Sequence, residues 1–547
     1  MRLYSILRLC GGPRTKPART VSEKSELGQP GDRRHFLCQA ASLAAGAAIA
    51  SATAGCGLPD WAEATEADVL MALGNDAYAE GDKLKVAGKS TEANKLYRLA
   101  ADRYLELARK YPQYTTKNVD YSSEKMSEKA AYIYHYFLED YAAARAAYEF
   151  FVEIYPKSVA APAKLMTLAG MLKNELGLPR EAIKAYRKIM DEYSNSDQAP
   201  VASLAVAYIF QNDLKLINIA IALYEQHIET YKGYTDQDTL ATVSKALLHL
   251  ADIYYGEPGY QDLTKAVATY EQYLALVPTN DSSYCMGIAL KVAGIKYDFA
   301  KAKTGPERQQ AMAKVAKEYY DLVIKYKAKV FASKGTLIQA AETSGDIYSE
   351  ELKDYQKAAA AYKVGVMCYG APDYFNAEKL WLKMCTAYYT AKEYCNAYLV
   401  YLQFSDLYPN HQDAEMAYFL AVQCLKLDNK NNEAISLYEQ FLKDLPNSQL
   451  RKTVLYDLGA LYKKNYNFGG AIATYEILLK DYPNSPEAEL ALFEVGSLNV
   501  YLKNYQAAVD AYEQFVSKYP SSVYLNDVLS MLKQLCALSG IQCQKAY

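Results

Sequence analysis

Residues 458–485 read LGALYKKNYNFGGAIATYEILLKDYPNS, and this stretch decides the fold. Its second half recurs on both sides, because Tyr438 opens YEQFLKDLPNS, Tyr475 opens YEILLKDYPNS and Tyr512 opens YEQFVSKYPSS. The three tyrosines are spaced by 37 residues. Within each segment apolar residues recur at the three- and four-residue intervals of an amphipathic helix. A helix that returns at a fixed period predicts a repeat protein.

The pattern extends upstream to eleven tyrosines, which we call the anchor tyrosines, and an alanine stands four residues before each of them. The anchor tyrosines are Tyr104, Tyr148, Tyr186, Tyr224, Tyr270, Tyr320, Tyr362, Tyr401, Tyr438, Tyr475 and Tyr512. Residues four apart share one helix face, and a small residue there lets a neighbouring helix approach closely. Seven of the segments have proline eight residues after the tyrosine, where it should end the helix.

The most complete unit places Gly459 and Tyr462 on a first helix, then Ala471, Tyr475 and Pro483 on a second. This order resembles the tetratricopeptide repeat, whose pattern is L-G-x-x-Y, A, F and P. The following unit repeats it with Gly496, Ala508, Tyr512 and Pro520. The resemblance implies an all-α fold, a right-handed α-solenoid of about 11 helical hairpins.

The regularity of the repeats varies along the chain and predicts five segments. Residues 1–56 read as an export signal, 57–300 as an N-terminal array and 301–400 as divergent repeats. Residues 401–540 form the regular array with a C-terminal capping helix, and 541–547 a tail. Within them, Ser485 and Pro486 predict a helix start with Ser485 as the N-cap. The stretch Lys301 to Arg308 predicts an inserted loop.

The N-terminal segment is basic, since residues 1–56 carry 8 Lys and Arg against 3 acids. The pair Arg33 and Arg34, followed by Phe36 and Leu37, precedes an Ala-rich apolar run and resembles a twin-arginine export signal. The run ends in Ala-Gly-Cys at Cys56, which resembles the lipobox of bacterial lipoproteins and implies lipidation of that cysteine. The expected location is the periplasmic face of the outer membrane.

Two other interpretations of this segment stay open. Residues 52–54 (Ala-Thr-Ala) also fit an ordinary A-x-A cleavage site, which would leave a soluble periplasmic protein. A mitochondrial transit peptide is the other alternative, because residues 2–19 contain no acid.

The sequence contains no zinc, haem or redox cysteine motif and no phosphate-binding loop. We therefore expect no enzyme, no metal and no cofactor. Beyond residue 56 the chain has 52 bases and 60 acids, a balance that argues against nucleic-acid binding. Cys536 and Cys543 flank Ser539-Gly540, so a disulfide between them is a further hypothesis.

These patterns favour a non-catalytic scaffold of the bacterial cell envelope, whose concave groove recruits or aligns partner proteins. The repeats look like those of BamD lipoproteins of outer-membrane assembly and of the periplasmic partner of the Tol-Pal system. The expected contact with a membrane is through the lipid anchor only. A cofactor-carrying or enzymatic protein exported in the folded state is the alternative, and a structural spacer is another.

Overall fold

A computed structural model describes residues 65–116, 119–277, 283–329, 334–367 and 377–539. The chain divides into two compact units, Met1–Leu214 and Lys215–Tyr547. Over the described residues it forms 23 α-helices and no β-strand, apart from one isolated bridge between Thr115 and Ser122. The all-α fold and the α-solenoid predicted from the repeats are confirmed.

The described part of the first unit consists of seven helices. They are α1 Glu66–Val86, α2 Ser90–Lys110, α3 Ser123–Tyr132, α4 Tyr141–Ile154, α5 Ala161–Asn174, α6 Pro179–Glu192 and α7 Gln198–Asn212. A 3-10 turn, Val119–Tyr121, precedes α3, and a wide turn, Ile133–Phe137, continues it. Consecutive helices pack as antiparallel hairpins, α1 with α2, α3 with α4 and α5 with α6.

The described part of the second unit consists of sixteen helices. Its first eight are α8 Ile217–Tyr231, α9 Gln237–Gly256, α10 Leu263–Leu276, α11 Ser283–Lys301, α12 Gly305–Tyr326, α13 Lys334–Asp346, α14 Tyr355–Met367 and α15 Ala377–Thr390. The others are α16 Tyr394–Leu407, α17 Ala414–Leu427, α18 Asn431–Asp444, α19 Arg451–Lys464, α20 Phe468–Asp481, α21 Pro486–Tyr501, α22 Tyr505–Lys518 and α23 Leu525–Ser539. The turn Ile347–Glu351 widens the end of α13. We call odd-numbered helices first helices and even-numbered helices second helices.

The core follows the predicted register. Each of the eleven alanines that precede the anchor tyrosines is fully buried, with 0% of its surface exposed. Ten of the eleven anchor tyrosines are also buried. An alanine and a tyrosine one turn apart thus form the inner stripe of every second helix except α12, as an i, i+4 pair on one face should. The five segments predicted from repeat regularity are a different division from the two compact units, and they stay a prediction.

The anchor predicted at Tyr320 is wrong. In α12 the buried tyrosines are Tyr319 and Tyr326, whereas Tyr320 is only half-buried. The hydroxyl oxygen of Tyr319 lies 3.7 Å from the point where a Cβ on Gly294 of α11 would stand. Tyr319 and not Tyr320 therefore fills the core position of α12.

The inserted loop predicted from Lys301 to Arg308 is also wrong. Helix α11 ends at Lys301 and α12 begins at Gly305, so only three residues connect them. The extra length lies in the helices, which have 19 and 22 residues, against 14 each in α19 and α20. Pro306 is tolerated because the first turn of a helix needs no backbone donor. Arg308 then donates to the carbonyl of Lys301 at 2.8 Å and fastens the connection.

The ends of the helices follow from local chemistry. Ser485 caps α21 by accepting a hydrogen bond from the N–H of Ala488 at 3.1 Å, and Pro486 is its first residue, as predicted. Several turns from a first to a second helix contain a residue with positive φ, such as Lys392 at 61° and Tyr466 at 61°. The second helix begins two residues later in each case.

Consecutive hairpins are fastened by a second set of tyrosines, which lie just after the second helices. The hydroxyl of Tyr519 donates to the carbonyl of Pro483 in the preceding hairpin at 3.1 Å. Tyr193 does the same to Pro156 at 2.8 Å. The proline that stops one helix therefore also presents the acceptor for the next repeat.

Candidate protein-interaction surface

The hydroxyl groups of some anchor tyrosines donate hydrogen bonds to carboxylates that also form ion pairs with lysines, and these contacts join consecutive hairpins. Tyr362 in α14 donates to Asp346 in α13 at 2.7 Å, and Lys383 in α15 donates to the same carboxylate at 2.7 Å. Burial and the hydrogen bond to Asp346 raise the pKa of Tyr362, so its hydroxyl stays protonated. One carboxylate thus connects three helices.

This three-part cluster recurs twice in the second unit. Its members are Tyr270, Asp252 and Lys291 in one place, and Tyr438, Asp457 and Lys426 in the other. Lys426 lies 2.6 Å from the carboxylate, and the tyrosine hydroxyl donates to it at 2.9 Å. These charges are satisfied within the protein. Recognition of a partner on this face therefore falls to side chains that are less engaged.

Aromatic side chains recur on the first helices of the last hairpins and once more in the turn before α23. We call them the aromatic row: Phe419, Tyr456, Phe493 and Tyr524. The first three are spaced by 37 residues, one on each of α17, α19 and α21. Each packs beside the anchor tyrosine of its own hairpin, with ring centroids 6.1, 5.8 and 6.3 Å apart, and each is half-buried. Tyr524 extends the row at 5.4 Å from Phe493 and is 36% exposed.

Carboxylates accompany the aromatic row. Asp457 and Glu494 each follow a member of the row directly in sequence, and Glu494 pairs with Lys463 at 2.6 Å. Burial, with the nearby charges of Glu494 and Asp457, raises the pKa of Tyr456. Both carboxylates are already paired within the protein, so the rings are the part of this surface that is available to a protein segment.

The aromatic row is not among the sequence predictions above, which follow the repeat pattern of the second helices. The signal was present, because three aromatic residues 37 apart are the same kind of pattern as the anchor tyrosines.

A cavity of about 710 Å³ lies between α14, α15 and α16. Its lining is mainly apolar and includes Leu380, Trp381, Met384 and Leu399. It has the size of a small-ligand pocket, and polar side chains such as Lys363, Gln403 and Asp406 also line it.

The predicted repeat residues occupy the core contacts between first and second helices. A Cβ added at Gly459 would stand 2.4 Å from a ring carbon of Tyr475, and one at Gly496 would stand 2.3 Å from Tyr512. Tyr462 donates to Glu439. Ala471 and Ala508 are fully buried, while Pro483 and Pro520 lie in the turns that follow α20 and α22.

The predicted residues of the export signal lie outside the described residues, and their roles stay predictions. They are Arg33, Arg34, Phe36, Leu37 and the lipidation site Cys56. Cys536 is disulfide-bonded, but Cys543 lies outside the described residues, so the pairing of the two remains a hypothesis.

The histidines of the described chain contribute to packing. His135 is buried and lies 3.2 Å from the hydroxyl of Tyr148, and burial lowers the pKa of this histidine. His227 is buried beside Thr242 at 3.1 Å. Among the described residues no group of three or more His, Cys, Asp or Glu could hold a metal ion. None of the described helices combines the length and apolarity that a bilayer span requires.

A family model of the tetratricopeptide repeat matches three stretches of the chain, residues 165–196, 453–485 and 490–522. They coincide with the helix pairs α5/α6, α19/α20 and α21/α22. The chain therefore contains tetratricopeptide repeats. No curated protein matches the sequence.

Solved structures with similarity to the chain include yeast Tom70, at 11% identity and a TM-score of 0.26, covering 86% of this chain and 97% of that one. A tetratricopeptide repeat protein from Parabacteroides merdae has 12% identity and a TM-score of 0.22, covering 53% of this chain and 98% of its own. The TPR2AB domain of yeast Sti1, in its complex with pHSP90, has 14% identity and a TM-score of 0.24. That match covers 55% of this chain and 100% of the Sti1 chain.

Proposed function

We propose that this chain is a non-catalytic scaffold of the bacterial cell envelope that recruits or aligns other envelope proteins. Tetratricopeptide repeats suggest a protein–protein interaction scaffold. We further propose that the chain acts in a complex of the cell envelope, in outer-membrane assembly or in another pathway.

The observation that carries the binding function is the aromatic row. Its first three rings come from successive first helices and are half-buried in the free protein. Aromatic side chains provide large contact area at little cost in conformational entropy, and they are frequent hot spots of protein interfaces. A row repeated at the period of the solenoid fits an extended segment that contacts several repeats in turn.

The experiment for this part is cross-linking in intact envelopes followed by mass spectrometry, with wild-type protein and a Tyr456→Ala, Phe493→Ala variant. We expect at least one envelope protein to be enriched with wild type and depleted with the variant. The matched control is Tyr260→Ala, Tyr284→Ala, which removes two exposed tyrosines from elsewhere in the second unit. Equal enrichment in all three proteins would show that partners bind a surface other than the aromatic row. No enrichment over a lipid-anchored control protein would favour the structural spacer. Circular dichroism of each variant checks that it folds.

The proposed location is the periplasmic face of the outer membrane, with a lipid on Cys56 as the anchor. Its support is the sequence: twin arginines before an apolar run that ends in Ala-Gly-Cys. We expect Cys56→Ala to move the exported protein into the soluble fraction. We also expect Arg33→Lys, Arg34→Lys to retain the precursor in the cytoplasm. Absence of acyl chains from the wild-type peptide that begins at Cys56, measured by mass spectrometry, would refute lipidation. Unchanged export of the arginine variant would refute the twin-arginine route.

A further inference from the structure

Among the residues of the second unit that the structure describes, the most exposed aromatic side chains lie together at the turns of the last two hairpins. Tyr466 is 79% exposed and Tyr501 is 67% exposed. Phe468 lies between them, with ring centroids 6.2 Å from Tyr466 and 4.6 Å from Tyr501. Leu502 and Tyr505 adjoin them and are each 39% exposed. We call these five residues the aromatic edge.

The packing of the repeat does not require the two most exposed rings. Tyr466 occupies the turn position that holds Asn429 and Lys503 in the neighbouring hairpins. Its φ of 61° is a conformation that Gly and Asn adopt most readily and that costs an aromatic residue free energy. A tyrosine kept there with most of its ring in solvent gains little from the core. Its exposed ring therefore points to a contact outside the chain.

The aromatic edge is also locally basic. The two turns, residues 462–468 and 499–505, contain Lys463, Lys464 and Lys503 and no acid, although acids exceed bases in the chain beyond residue 56. Lys463 pairs with Glu494 at 2.6 Å. Lys464 and Lys503 have no ion-pair partner in the part of the chain that the structure describes.

We propose that the aromatic edge is a membrane-contact surface that rests in the headgroup region of a bilayer containing anionic phospholipids. Tyrosine, with an apolar ring and a polar tip, is enriched at this depth of a membrane. Lysine can lay its carbon chain along apolar surface while its ammonium group reaches a phosphate. Turns at the ends of helices project outward, which suits insertion into a soft planar surface better than capture of a peptide in a groove.

The contact adds to the proposed function and does not depend on the lipid at Cys56. One hydrophobic anchor and a basic surface patch together hold a protein at a membrane far more firmly than either does alone. In an anchored protein the aromatic edge would lay the last hairpins against the bilayer and so fix how the neighbouring repeats are presented.

The first test uses a tryptophan reporter in the full chain carrying Cys56→Ala, so that no lipid is attached. Tyr466→Trp is mixed with phosphatidylcholine vesicles with and without 30% phosphatidylglycerol, in which the acyl chains are brominated near the headgroup. We expect quenching of its emission, beyond that of the parent chain, with the anionic vesicles only. The control is Tyr284→Trp, which replaces a tyrosine 52% exposed on α11. Because the reporter senses its own surroundings, membrane binding by the N-terminal segment cannot produce this result. Equal quenching of both reporters, or none, overturns the proposal.

The second test is flotation of the same vesicles with Tyr466→Ser, Tyr501→Ser and with Lys464→Gln, Lys503→Gln. We expect the tyrosine pair to weaken binding to anionic vesicles about tenfold. We expect the lysine pair to remove most of the difference between anionic and neutral vesicles and most of its salt dependence. The control pair is Tyr260→Ser, Tyr284→Ser. If that pair weakens binding as much, or if all four proteins float equally, the aromatic edge is not the contact surface.

Discussion

Gly459 lies against the ring of Tyr475 so closely that a Cβ on the glycine would stand 2.4 Å from the nearest ring carbon. The contact joins α19 to α20 within one hairpin and is fully buried on the tyrosine side. Gly496 and Tyr512 make the same contact one repeat later. The small residue of the first helix and the anchor tyrosine of the second are therefore one structural element divided between two helices.

We expect Gly459→Ala to destabilise the second unit by about 2 kcal/mol, because the ring of Tyr475 and its helix must move to admit the methyl group. Urea unfolding followed by circular dichroism measures the change. The matched control is Gly469→Ala, a helical position with nothing within 4 Å of the new Cβ. Alanine there should be neutral or stabilising, since it is the better helix former. Equal effects of the two substitutions would show that the close contact contributes nothing.

The ion pairs between hairpins give a second prediction. Lys383 is partly buried and contacts both Asp346 and Glu342 at 2.7 Å, whereas Lys379 contacts only Glu342, at 2.9 Å. Lys383→Met should therefore leave Asp346 without its cation. We expect a loss of about 1–3 kcal/mol. Lys317→Met removes a lysine whose pair with Asp321 is highly exposed, and it should cost almost nothing. Chemical denaturation at low and high salt separates the two cases, and a similar loss in both variants would contradict the cross-linking role.

Turn residues with positive φ give a third prediction, in the stabilising direction. Lys392 has a φ of 61° between α15 and α16, a position that favours glycine. Lys392→Gly should stabilise the protein by about 0.5–1 kcal/mol. Lys392→Ala, which removes the same charge but keeps the backbone cost, should not. Thermal unfolding of both variants checks this, and a gain for alanine equal to that for glycine would assign the effect to charge.

A fourth prediction concerns pH. Burial, only partly offset by Thr242, lowers the pKa of His227 from 6.5 to about 4. Between these values the unfolded chain binds a proton that the folded chain does not, so stability is complete above about pH 6.5 and falls as the pH drops toward 4. The contribution of this one group is on the order of 3 kcal/mol.

The measurement is the free energy of unfolding of His227→Gln and of wild type from pH 7 to pH 4. The variant should lose stability less steeply across this range, whatever its stability at pH 7. His411→Gln, at a partly exposed position, is the control. A variant with the slope of wild type would show that His227 does not carry the effect. Burial also lowers the pKa of His135 and that of the half-buried His249, so part of the slope should remain.

The sequence predicted the helices well because the anchor positions repeat. An alanine four residues before a tyrosine, with a proline beyond, determines which face is buried and where a helix ends, and ten of eleven anchors were placed correctly. The prediction for Tyr320 failed because two tyrosines are adjacent there, and the packing of α12 against its neighbours buries Tyr319 instead. Local sequence does not contain that information. The same limit applies to the connection after Lys301, where polar residues lengthen a helix that the sequence alone assigned to a loop.

The candidate surfaces were harder to predict because they depend on exposure. Phe419, Tyr456 and Phe493 could be found by their spacing, but their half-burial depends on the packing of neighbouring helices. Tyr466 and Tyr501 look like any other tyrosine in a chain that has 53 of them. Only the structure separates these exposed rings from those that fill the core.

The hydrogen bonds from Tyr519 to Pro483 and from Tyr193 to Pro156 have a consequence for how such a chain can grow. The hairpin of α3 and α4 brings both halves of the contact: Tyr155 donates to the carbonyl of Pro112 in the repeat before it, and the carbonyl of Pro156 accepts from Tyr193 in the repeat after it. A duplicated segment of 37 residues that has both the tyrosine and the proline therefore brings its own donor and acceptor for these hydrogen bonds. Its neighbours need no compensating change. Gain or loss of such whole hairpins preserves these hydrogen bonds between repeats. The length of the array can therefore change, in evolution or by engineering, while each remaining repeat keeps its sequence.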